Sequence, residues 1–490
     1  MARSLFKNPN YLFPARSKDG IVEKFSTDSG YQQFFMSASF FQRVRRLLLI
    51  GVAAGLGVSQ TLAEPEEVVV ISPHWDGIKS ETERAFSAWH EKKYGSPVTI
   101  RWREAGGGGS QIIRFLRSEY MSDSTAGVDV LYGGGIDPFR ELKKDGLLTR
   151  YDPPPDILSQ IPATLNGMEI YDPGHEWFGA ALSGFGILTN ERAREAAGLP
   201  RVTTWAGLTD PGLAGWVSSC DPRASSSVLQ IYEIILQSYG WDKGWGVLME
   251  MSGNVRHFLS SAAASAVEVG LGDATYGVAI DVYGQTQAGF YGADNVSFIL
   301  PEGQTVITPD GIAILKNPPH PELAQHFVEF VLSREGQMLW MLPKGAPGGS
   351  VRYAINRMGV QPALYDEFAS VSPIKTDPFK LQSKFTYSSQ LAAKRRLILS
   401  VLIAAWMIDT HDQLARAWKE LHSPKALKLS PERQQTLLAE LIAPPCSETE
   451  LLHLAATDWK DPLQRTAITN RWQNEALERY KNLMIQIGSN

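Results

Sequence analysis

The sequence predicts an α/β fold that is followed by a helical C-terminal region. Strand and helix patterns alternate from residue 68 to residue 146, and a second region of strands and helices begins near residue 181. After about residue 370, amphipathic helical patterns dominate. Strands that alternate with helices form mostly parallel sheets with helices on both faces. We therefore expect α/β architecture up to about residue 370 and helices beyond it.

Three strand patterns define the first region. Residues 68–71 are a continuous β-branched run, which is typical of a strand buried on both faces. Residues 98–102 alternate between apolar and polar types, and residues 128–132 form the next predicted strand. Their spacing leaves room for a helix between each pair of strands.

Helix-start signals separate these strands. Ser80 to Glu83 has the pattern of a capping box, and Gly95 is placed to end that helix. The glycine run 106–109 turns into a helix near Ser110. Asp137 and Pro138 are a suitable N-cap and first residue for a helix that ends at Gly146.

The later patterns place strands at 216–219, 276–281 and 311–315 and helices at 225–239, 322–334, 389–420 and 471–487. The segment from Leu397 to Ile408 is strongly apolar but only twelve residues long. A membrane span needs about 20 residues. We therefore expect this segment to be a buried core helix.

An export signal is expected at the N-terminus. An apolar run from Leu47 to Val58 is followed by small and polar residues, and cleavage is expected after Ala63. Basic residues precede the run at Arg43, Arg45 and Arg46. Because residues 1–35 do not resemble a signal peptide, Met36 is the expected start of the protein. These features predict a periplasmic protein, and the lack of a cysteine near the cleavage site argues against a lipid anchor.

Charge and cysteine content exclude several classes. The chain has a net charge of −5, and residues 1–63 hold eight of its 47 basic and three of its 52 acidic residues. The mature chain would therefore carry −10, which disfavours nucleic acid and anionic membranes as partners. Cys220 and Cys446 are the only cysteines, so no cysteine metal cluster is expected; a disulfide between them stays open.

Several short motifs, in a fixed order, resemble one known family. They are Glu104 to Ser110, Gly133 to Phe139, Gly146 to Leu148, Asp221 to Ser227, Gly253 to Ala266, Gly272 to Ala274, Pro301 to Gly303 and Phe330 to Pro347. Together they cover roughly residues 66–365. This pattern resembles the type II periplasmic solute-binding proteins, and within them the group that binds ferric iron, thiamine, sugar phosphates and phosphoglycerate.

The resemblance implies a periplasmic-binding-protein-like type II fold with two α/β lobes, which close on a ligand by hinge motion. Crossing strands are expected near 180–188 and 305–312. Lobe 1 would contain residues 64–180 plus 308–370, lobe 2 residues 181–307, and residues 371–490 would be a helical extension. The family further implies a monomer that delivers a small ligand to the permease subunits of an ABC importer.

Ligand-binding candidates follow from backbone and hydroxyl groups. Glycines let a ligand approach the backbone, and helix N-termini attract anions. This argument applies to Gly108, Gly109 and Ser110, to the strand-end residues Gly134 and Gly135, and to the serines Ser225, Ser226, Ser227 and Ser261. A plain turn and simple N-capping are the structural alternatives for these residues. Asp281, Tyr283 and Trp75 are further candidates, with Trp75 either stacking on a ligand or packing.

Two cargo classes remain open. A small anionic or phosphorylated solute is favoured by the helix N-termini. In the iron-binding members a histidine and paired tyrosines ligate Fe³⁺, and here His74 and Tyr283 occupy those places, with one tyrosine where a pair is expected. Fe³⁺ would be cargo, and no cofactor is predicted. Neither H-E-x-x-H nor G-x-S-x-G is present, so the sequence predicts no enzyme; an exported enzyme or structural module is the third hypothesis.

Overall fold

A computed structural model describes residues 66–105 and 109–488 of the chain. The expectations for the signal peptide, the Met36 start and Gly108 lie outside these residues. Twelve strands are formed by the described residues: β1 Glu66–Ile71, β2 Val98–Arg103, β3 Val130–Tyr132, β4 Leu148–Thr149, β5 Thr164–Leu165, β6 Met168–Glu169, β7 Phe178–Asn190, β8 Val217–Cys220, β9 Val255–Leu259, β10 Tyr276–Ile280, β11 Val296–Ile299 and β12 Ile307–Leu315.

The helices up to residue 371 are, in chain order, α1 Asp76–Tyr94, α2 Gly109–Ser122, α3 Asp137–Lys144, α4 Pro155–Leu158, α5 Glu191–Ala196, α6 Ser226–Tyr239, α7 Trp241–Asn254, α8 Ala262–Leu271, α9 Asp281–Tyr291, α10 Pro321–Leu332, α11 Arg334–Met341 and α12 Ala363–Glu367. The C-terminal region adds α13 Ser389–Ile403, α14 His411–Leu421, α15 Pro431–Ile442, α16 Glu448–Ala456 and α17 Pro462–Gly488, with a π-helical turn at Ala404–Ile408.

Ten of these strands form one mixed sheet. Eight follow the path β2-β1-β3-β12-β7-β10-β8-β9, and β4 and β11 pair with β12 and β7 off this path. Parallel pairs lie at its two ends, β1 with β2 and β3, and β8 with β9 and β10. The centre is antiparallel, because β12 pairs with both β3 and β7 and β10 pairs with β7. The expected α/β architecture is confirmed, although the centre of the sheet is antiparallel.

The long central strands β7 and β12 connect the two parallel halves of the sheet. Every residue of both strands is buried. They fall where crossing strands are expected, near 180–188 and 305–312. The division of the chain into lobe 1 and lobe 2 at these strands stays a prediction.

The C-terminal helices share a hydrophobic core with the second half of the sheet. One apolar cluster joins residues of β7, α6 and α7 to residues of α13, α14 and α17, among them Ile187, Leu248, Leu402 and Trp418. Before α13, Ile374 belongs to the cluster around β1 and β12, whereas Phe385 and Tyr387 pack against the shared core. The predicted helical C-terminal region is therefore confirmed, and it packs against the α/β part over a wide apolar surface.

Some local predictions are wrong. The first helix begins at Asp76, one turn before the predicted capping box, with Trp75 at the N-cap. Glu83 therefore lies inside α1, where its carboxylate accepts a hydrogen bond from the Trp102 indole at 3.2 Å. Asp137 is the first residue of α3, and Ile136 is the N-cap.

The apolar segment from Leu397 to Ile408 packs largely inside the protein. Ile398, Leu402 and Trp406 are buried in the shared core, whereas Leu397 is 72% exposed. None of the helices formed by the described residues combines the length and apolarity needed to span a bilayer. Cys220 and Cys446 are free thiols, so this structure contains no disulfide between them.

Candidate functional site

A cavity of about 320 Å³ lies beside the middle of the central strands. Ser183 and Phe185 of β7 and Thr308 and Asp310 of β12 line it. The antiparallel register pairs Thr308 with Ser183, so both strands present polar groups to the same place. Because β7 and β12 connect both halves of the sheet, groups from each half can reach this cavity.

Six of the described helices begin at the cavity. Its lining contains Ile78 of α1, Gly109 of α2, Asp137 of α3, Ser226 and Ser227 of α6, Ala263 of α8 and Val282 of α9. The first turn of a helix has free N–H groups and a positive dipole end, which stabilise an anion. Their convergence makes the cavity a favourable environment for negative charge.

Three of these six helix starts are not already occupied by acidic side chains. Asp76, Asp137 and Asp281 stand in the first turns of α1, α3 and α9. The first turns of α2, α6 and α8 contain no acidic residue. An anionic ligand is therefore best stabilised where α2, from one half of the sheet, faces α6 and α8, from the other half.

A buried ionic network forms the base of the cavity. Arg357 donates from Nη1 to Asp310 Oδ2 at 2.6 Å and from Nη2 to Ser183 Oγ at 2.7 Å. His74 Nε2 lies 3.0 Å from the same Asp310 oxygen, and the Gly135 N–H donates to Asp310 Oδ1 at 2.8 Å. The Arg357 side chain is only 2% exposed. These contacts fix the central strands, the first helix and the Gly134–Gly135 loop around one carboxylate.

Burial and neighbouring charges set the ionisation of this network. Burial raises the pKa of Asp310, but Arg357, His74 and the Gly135 N–H together outweigh it and hold that pKa far below its usual range. Burial lowers the pKa of His74, so the imidazole is neutral near pH 7. Arg357 Nη1 also lies 3.2 Å from His74 Nε2. In the neutral tautomer that carries its proton on Nε2, His74 donates to the Asp310 carboxylate, and Arg357 with Asp310 forms a closed ion pair.

Three consecutive glycines allow the chain to turn beneath His74. Gly133, Gly134 and Gly135 all have positive φ, at 87°, 106° and 77°. A Cβ on Gly133 would lie 2.4 Å from the His74 ring, so this position has neither the backbone freedom nor the space for a side chain. The glycine run after β3 therefore places the Gly135 N–H and the start of α3 at the cavity.

Most of the sequence-predicted site residues meet at this cavity. Its lining includes the predicted residues Trp75, Gly109, Gly134, Gly135, Ser226, Ser227 and Tyr283, and also His74. Trp75 is 38% exposed and packs edge-on against Tyr353 at 5.3 Å between ring centroids. The residues thus gather from the starts of several helices that lie far apart in sequence. Their roles in binding stay predictions.

Other predicted residues have structural roles or lie beside the cavity. Ser225 and Ser261 are N-caps, and their hydroxyls accept from Val228 N and Ala264 N at 3.3 and 3.1 Å. Asp281 is buried and lines a neighbouring cavity of about 280 Å³. Gly108 lies outside the described residues, and Ser110 is the second residue of α2. Ser226 and Ser227 line the cavity, and Ser227 Oγ lies 3.1 Å from Ser225 Oγ.

Sequence reasoning missed the two charged residues at the base of the cavity. Asp310 stands within Pro309–Asp310–Gly311, a pattern typical of a turn, yet β12 continues through it with a register shift. An acidic residue inside an otherwise apolar strand was the available signal. Arg357 lies in an irregular segment after α11, where local patterns carry no information about its partner. Gln230, one helical turn after Ser226, was missed for the same reason.

The predicted ferric ligands both line the cavity, but their surroundings fit iron poorly. His74 Nε2 is engaged by Asp310, and Nδ1 is buried without a hydrogen-bond partner among the described residues. Burial raises the pKa of Tyr283 and thereby disfavours the phenolate form that Fe³⁺ takes as a ligand. Within the described residues, no group of three or more His, Cys, Asp or Glu is arranged to hold a metal ion.

Replacing Asp281 with asparagine is expected to stabilise the protein at neutral pH. Burial raises the pKa of Asp281 to about 6, above its ordinary value of 3.8. The folded state therefore binds the extra proton between about pH 4 and pH 6, and the free energy of unfolding falls as pH rises through this window. The advantage of Asp281→Asn should grow over the same window, to about 3 kcal/mol at pH 7.

Denaturant unfolding at pH 4, 5, 6 and 7 measures this difference between variant and parent. Asp294→Asn, which removes a carboxylate at an exposed position, is the matched control. A difference for Asp281→Asn that is constant from pH 4 to pH 7 would contradict the predicted linkage.

Comparison with known proteins connects this arrangement to a family. Residues 128–354 match the family model of bacterial extracellular solute-binding proteins. The resemblance predicted from the sequence is confirmed. The matched solute-binding segment contains β7, β12 and the starts of α3, α6, α8 and α9, which together form much of the cavity wall.

Two curated relatives match at the sequence level. The phosphoglycerate transport regulatory protein PgtC of Salmonella typhimurium is 26% identical over 243 residues, which are 50% of this chain and 56% of PgtC. The chain thus spans about half the length of PgtC. An uncharacterized protein of Haemophilus influenzae is 26% identical over 366 residues, covering 73% of this chain and 94% of that protein.

Solved structures show the same fold. The periplasmic binding protein AfuA from Actinobacillus pleuropneumoniae, with fructose-6-phosphate bound, has a TM-score of 0.52 and 19% identity over 72% of this chain and 98% of its own. The periplasmic binding protein P5PA has a TM-score of 0.51 and 21% identity over 66% and 93%. The predicted periplasmic-binding-protein-like fold with a helical C-terminal region is thereby confirmed.

Proposed function

We propose that this protein is the periplasmic solute-binding component of an ABC importer and that it captures a small anionic or phosphorylated solute. The 320 Å³ cavity beside the central strands β7 and β12 is the binding site. The two parallel halves of the sheet act as lobes that close on the solute and then dock on the permease. The protein binds and releases its solute unchanged, so it has no catalytic role.

One observation carries this proposal. The acid-free starts of α2, α6 and α8 face the cavity from both halves of the sheet, and the hydroxyls of Ser226 and Ser227 stand beside them. Arg357 is already paired with Asp310, so helix N–H groups and hydroxyls would supply the binding of the anion. Such groups can bind a phosphate without an unpaired cationic side chain.

The apolar lining supports an organic solute rather than a bare inorganic anion. Trp75, Ile78, Phe185, Ile280 and Val282 line the cavity together with the polar groups. Apolar walls with a few convergent polar groups are typical of small-molecule sites. The phosphoglycerate in the name of PgtC and the fructose-6-phosphate in the AfuA structure are compounds of this class.

Closure follows from the same geometry. A solute held by α2 on one side and by α6 and α8 on the other contacts both halves of the sheet only when the cleft is narrow. It shifts the protein toward the closed state by its higher affinity for that state. Small-angle scattering with and without solute should therefore show a smaller radius of gyration for the bound protein.

A thermal-shift panel tests the solute class. Phosphorylated sugars, phosphoglycerate, their unphosphorylated forms and ferric citrate are each added to the purified protein. A ligand at 100 times its Kd stabilises the folded state by about 2.7 kcal/mol. We expect a shift with at least one phosphorylated compound and none with its unphosphorylated form. A shift with ferric citrate alone, with a coloured complex, would establish the iron alternative instead.

The serines of α6 provide the test of the site itself. The double variant Ser226→Ala/Ser227→Ala removes two hydroxyls from the cavity lining and keeps Ser225 as the N-cap, although Ser225 Oγ loses its 3.1 Å contact with Ser227 Oγ. Hydrogen bonds to a charged group contribute about 1.5–3 kcal/mol, so affinity should fall at least tenfold by calorimetry. Ser118→Ala, on the exposed face of α2, is the control. Unchanged affinity in the double variant would contradict this placement of the anion.

A further inference from the structure

A second cavity of about 510 Å³ lies next to the proposed solute site. One wall is a single face of α3, formed by Asp137, Arg140, Glu141 and Lys144. The opposite wall is formed by the C-terminal region, from Tyr387 through Ser389 and Gln390 to Ala393 and Arg396. The C-terminal wall follows the family-matched segment, which ends at residue 354. This compartment is therefore a feature that the C-terminal region adds to the fold.

The second cavity adjoins the first through shared residues. Ile136, Asp137, Gln230 and Thr308 line both cavities. Gln230 also donates from Nε2 to the Tyr387 hydroxyl at 2.7 Å, which attaches the C-terminal wall to α6. A ligand bound at the starts of α2 and α6 would thus have a continuation into the second cavity past Gln230 and Thr308.

Charge in this compartment is distributed unevenly. Each carboxylate of its walls faces an arginine: Asp137 is paired with Arg396, Glu169 lies 3.5 Å from Arg140, and Glu141 lies 3.2 Å from Arg117. Lys144, by contrast, forms no ion pair with any residue that the structure describes. Lys144 lies in the last turn of α3, at the end of the compartment away from the solute site. Arg140, one turn earlier and 32% exposed, keeps guanidinium donors beyond its 3.5 Å contact with Glu169.

The geometry fixes the length of what could bind to both ends. The start of α2 lies against the start of α3, since a Cβ on Gly109 would be 2.8 Å from Pro138 Cγ. From Asp137 to Lys144 the helix rises about 1.5 Å per residue, or about 10 Å in total. An acidic group at the helix starts and a second one near Lys144 would therefore be separated by about the length of α3, or about 10 Å.

We propose that the C-terminal region extends the solute site into this compartment and that the solute is an elongated compound with two acidic groups. One group binds at the starts of α2, α6 and α8, and the distal group binds Arg140 and Lys144. This inference rests on the proposed function, because it adds a second subsite to the same solute site.

Calorimetry on the full chain tests the subsite with two probes that differ by one phosphate. Fructose 1,6-bisphosphate carries a phosphate at each end, and fructose 6-phosphate carries one. We expect the bisphosphate to bind at least tenfold more tightly than the monophosphate. In Arg140→Ala/Lys144→Ala this preference should disappear, while the affinity for the monophosphate stays within twofold. Both residues are on the surface of α3, and circular dichroism verifies that the variant is folded.

Lys92→Ala is the matched control, because Lys92 is an exposed last-turn lysine of α1 outside both cavities. It should leave the preference for the bisphosphate intact. Equal affinity of the parent protein for both probes, or a preference that survives in the double variant, would overturn the distal subsite while monophosphate binding still supports the proposed function. Binding of neither probe, nor of any other phosphorylated compound, would overturn both.

Discussion

Arg357→Met is expected to lower the free energy of unfolding by about 3–5 kcal/mol, because it leaves the buried Asp310 carboxylate without its cation. Asp310 is buried between the central strands, and its low pKa depends on Arg357. Removing one partner of a buried ion pair is far more costly than removing both. The variant also loses the hydrogen bond from Arg357 to Ser183 on β7. Denaturant unfolding at pH 7 measures the loss.

Two further variants distinguish a broken ion pair from a packing defect. Arg357→Met/Asp310→Asn removes both charges of the pair and should be more stable than Arg357→Met alone. Arg352→Met, at an exposed position five residues earlier in the same irregular segment, should change stability by less than about 0.5 kcal/mol. A double variant less stable than Arg357→Met would show that lost packing outweighs the stranded charge.

Trp418→Ala is expected to destabilise the whole protein by about 3–5 kcal/mol, which is the usual cost of removing a buried aromatic side chain. Trp418 of α14 is 2% exposed, and a Cβ on Gly253 of α7 would lie 2.5 Å from its ring. Its indole N–H donates to Asn254 Oδ1 at 2.7 Å, and Asn254 in turn donates to Leu208 O and Asp210 O. The substitution therefore opens a cavity and leaves a buried carbonyl unpaired.

This variant also tests whether the C-terminal region folds as part of the solute-binding unit. Because α14 and α7 share one core, Trp418→Ala should lower the midpoint of a single unfolding transition. Leu397→Ala is the control, because the Leu397 side chain of α13 is 72% exposed. It should change the free energy of unfolding by less than about 0.5 kcal/mol. Two separate transitions, of which only one responds to Trp418→Ala, would show that the C-terminal helices form an independent domain.

The attachment of the C-terminal region to α6 and α7 bears on the proposed closure of the cleft. If the C-terminal region is rigidly attached to α6 and α7, it moves with them when the cleft closes. The ion pair between Arg396 of α13 and Asp137 of α3 then joins the C-terminal region to the other half of the sheet. Closure would thus narrow the second compartment together with the solute site.

Local sequence patterns were sufficient to predict most strands and helices and the site residues that lie at helix starts. The β-branched run at 68–71, the glycines after β3 and the serines before α6 each specify a conformation through nearest-neighbour chemistry, and each is where the sequence places it. The capping box predicted at Ser80 is wrong because the helix begins at Asp76, after an N-cap Trp75 that makes no side-chain capping hydrogen bond.

By itself, the sequence determined the α/β class, the helical C-terminal region, the family resemblance and the candidate residues at helix starts, because these depend on periodicity, turn chemistry and short motifs. Only the tertiary structure decided that Asp310 and Arg357 form the base of the cavity, that Asp281 is buried beside it, and that the C-terminal region builds a second compartment. Asp310 and Arg357 are 47 residues apart, and His74 lies 236 residues from Asp310. Pairing over such separations depends on how the central strands align, which no local pattern encodes.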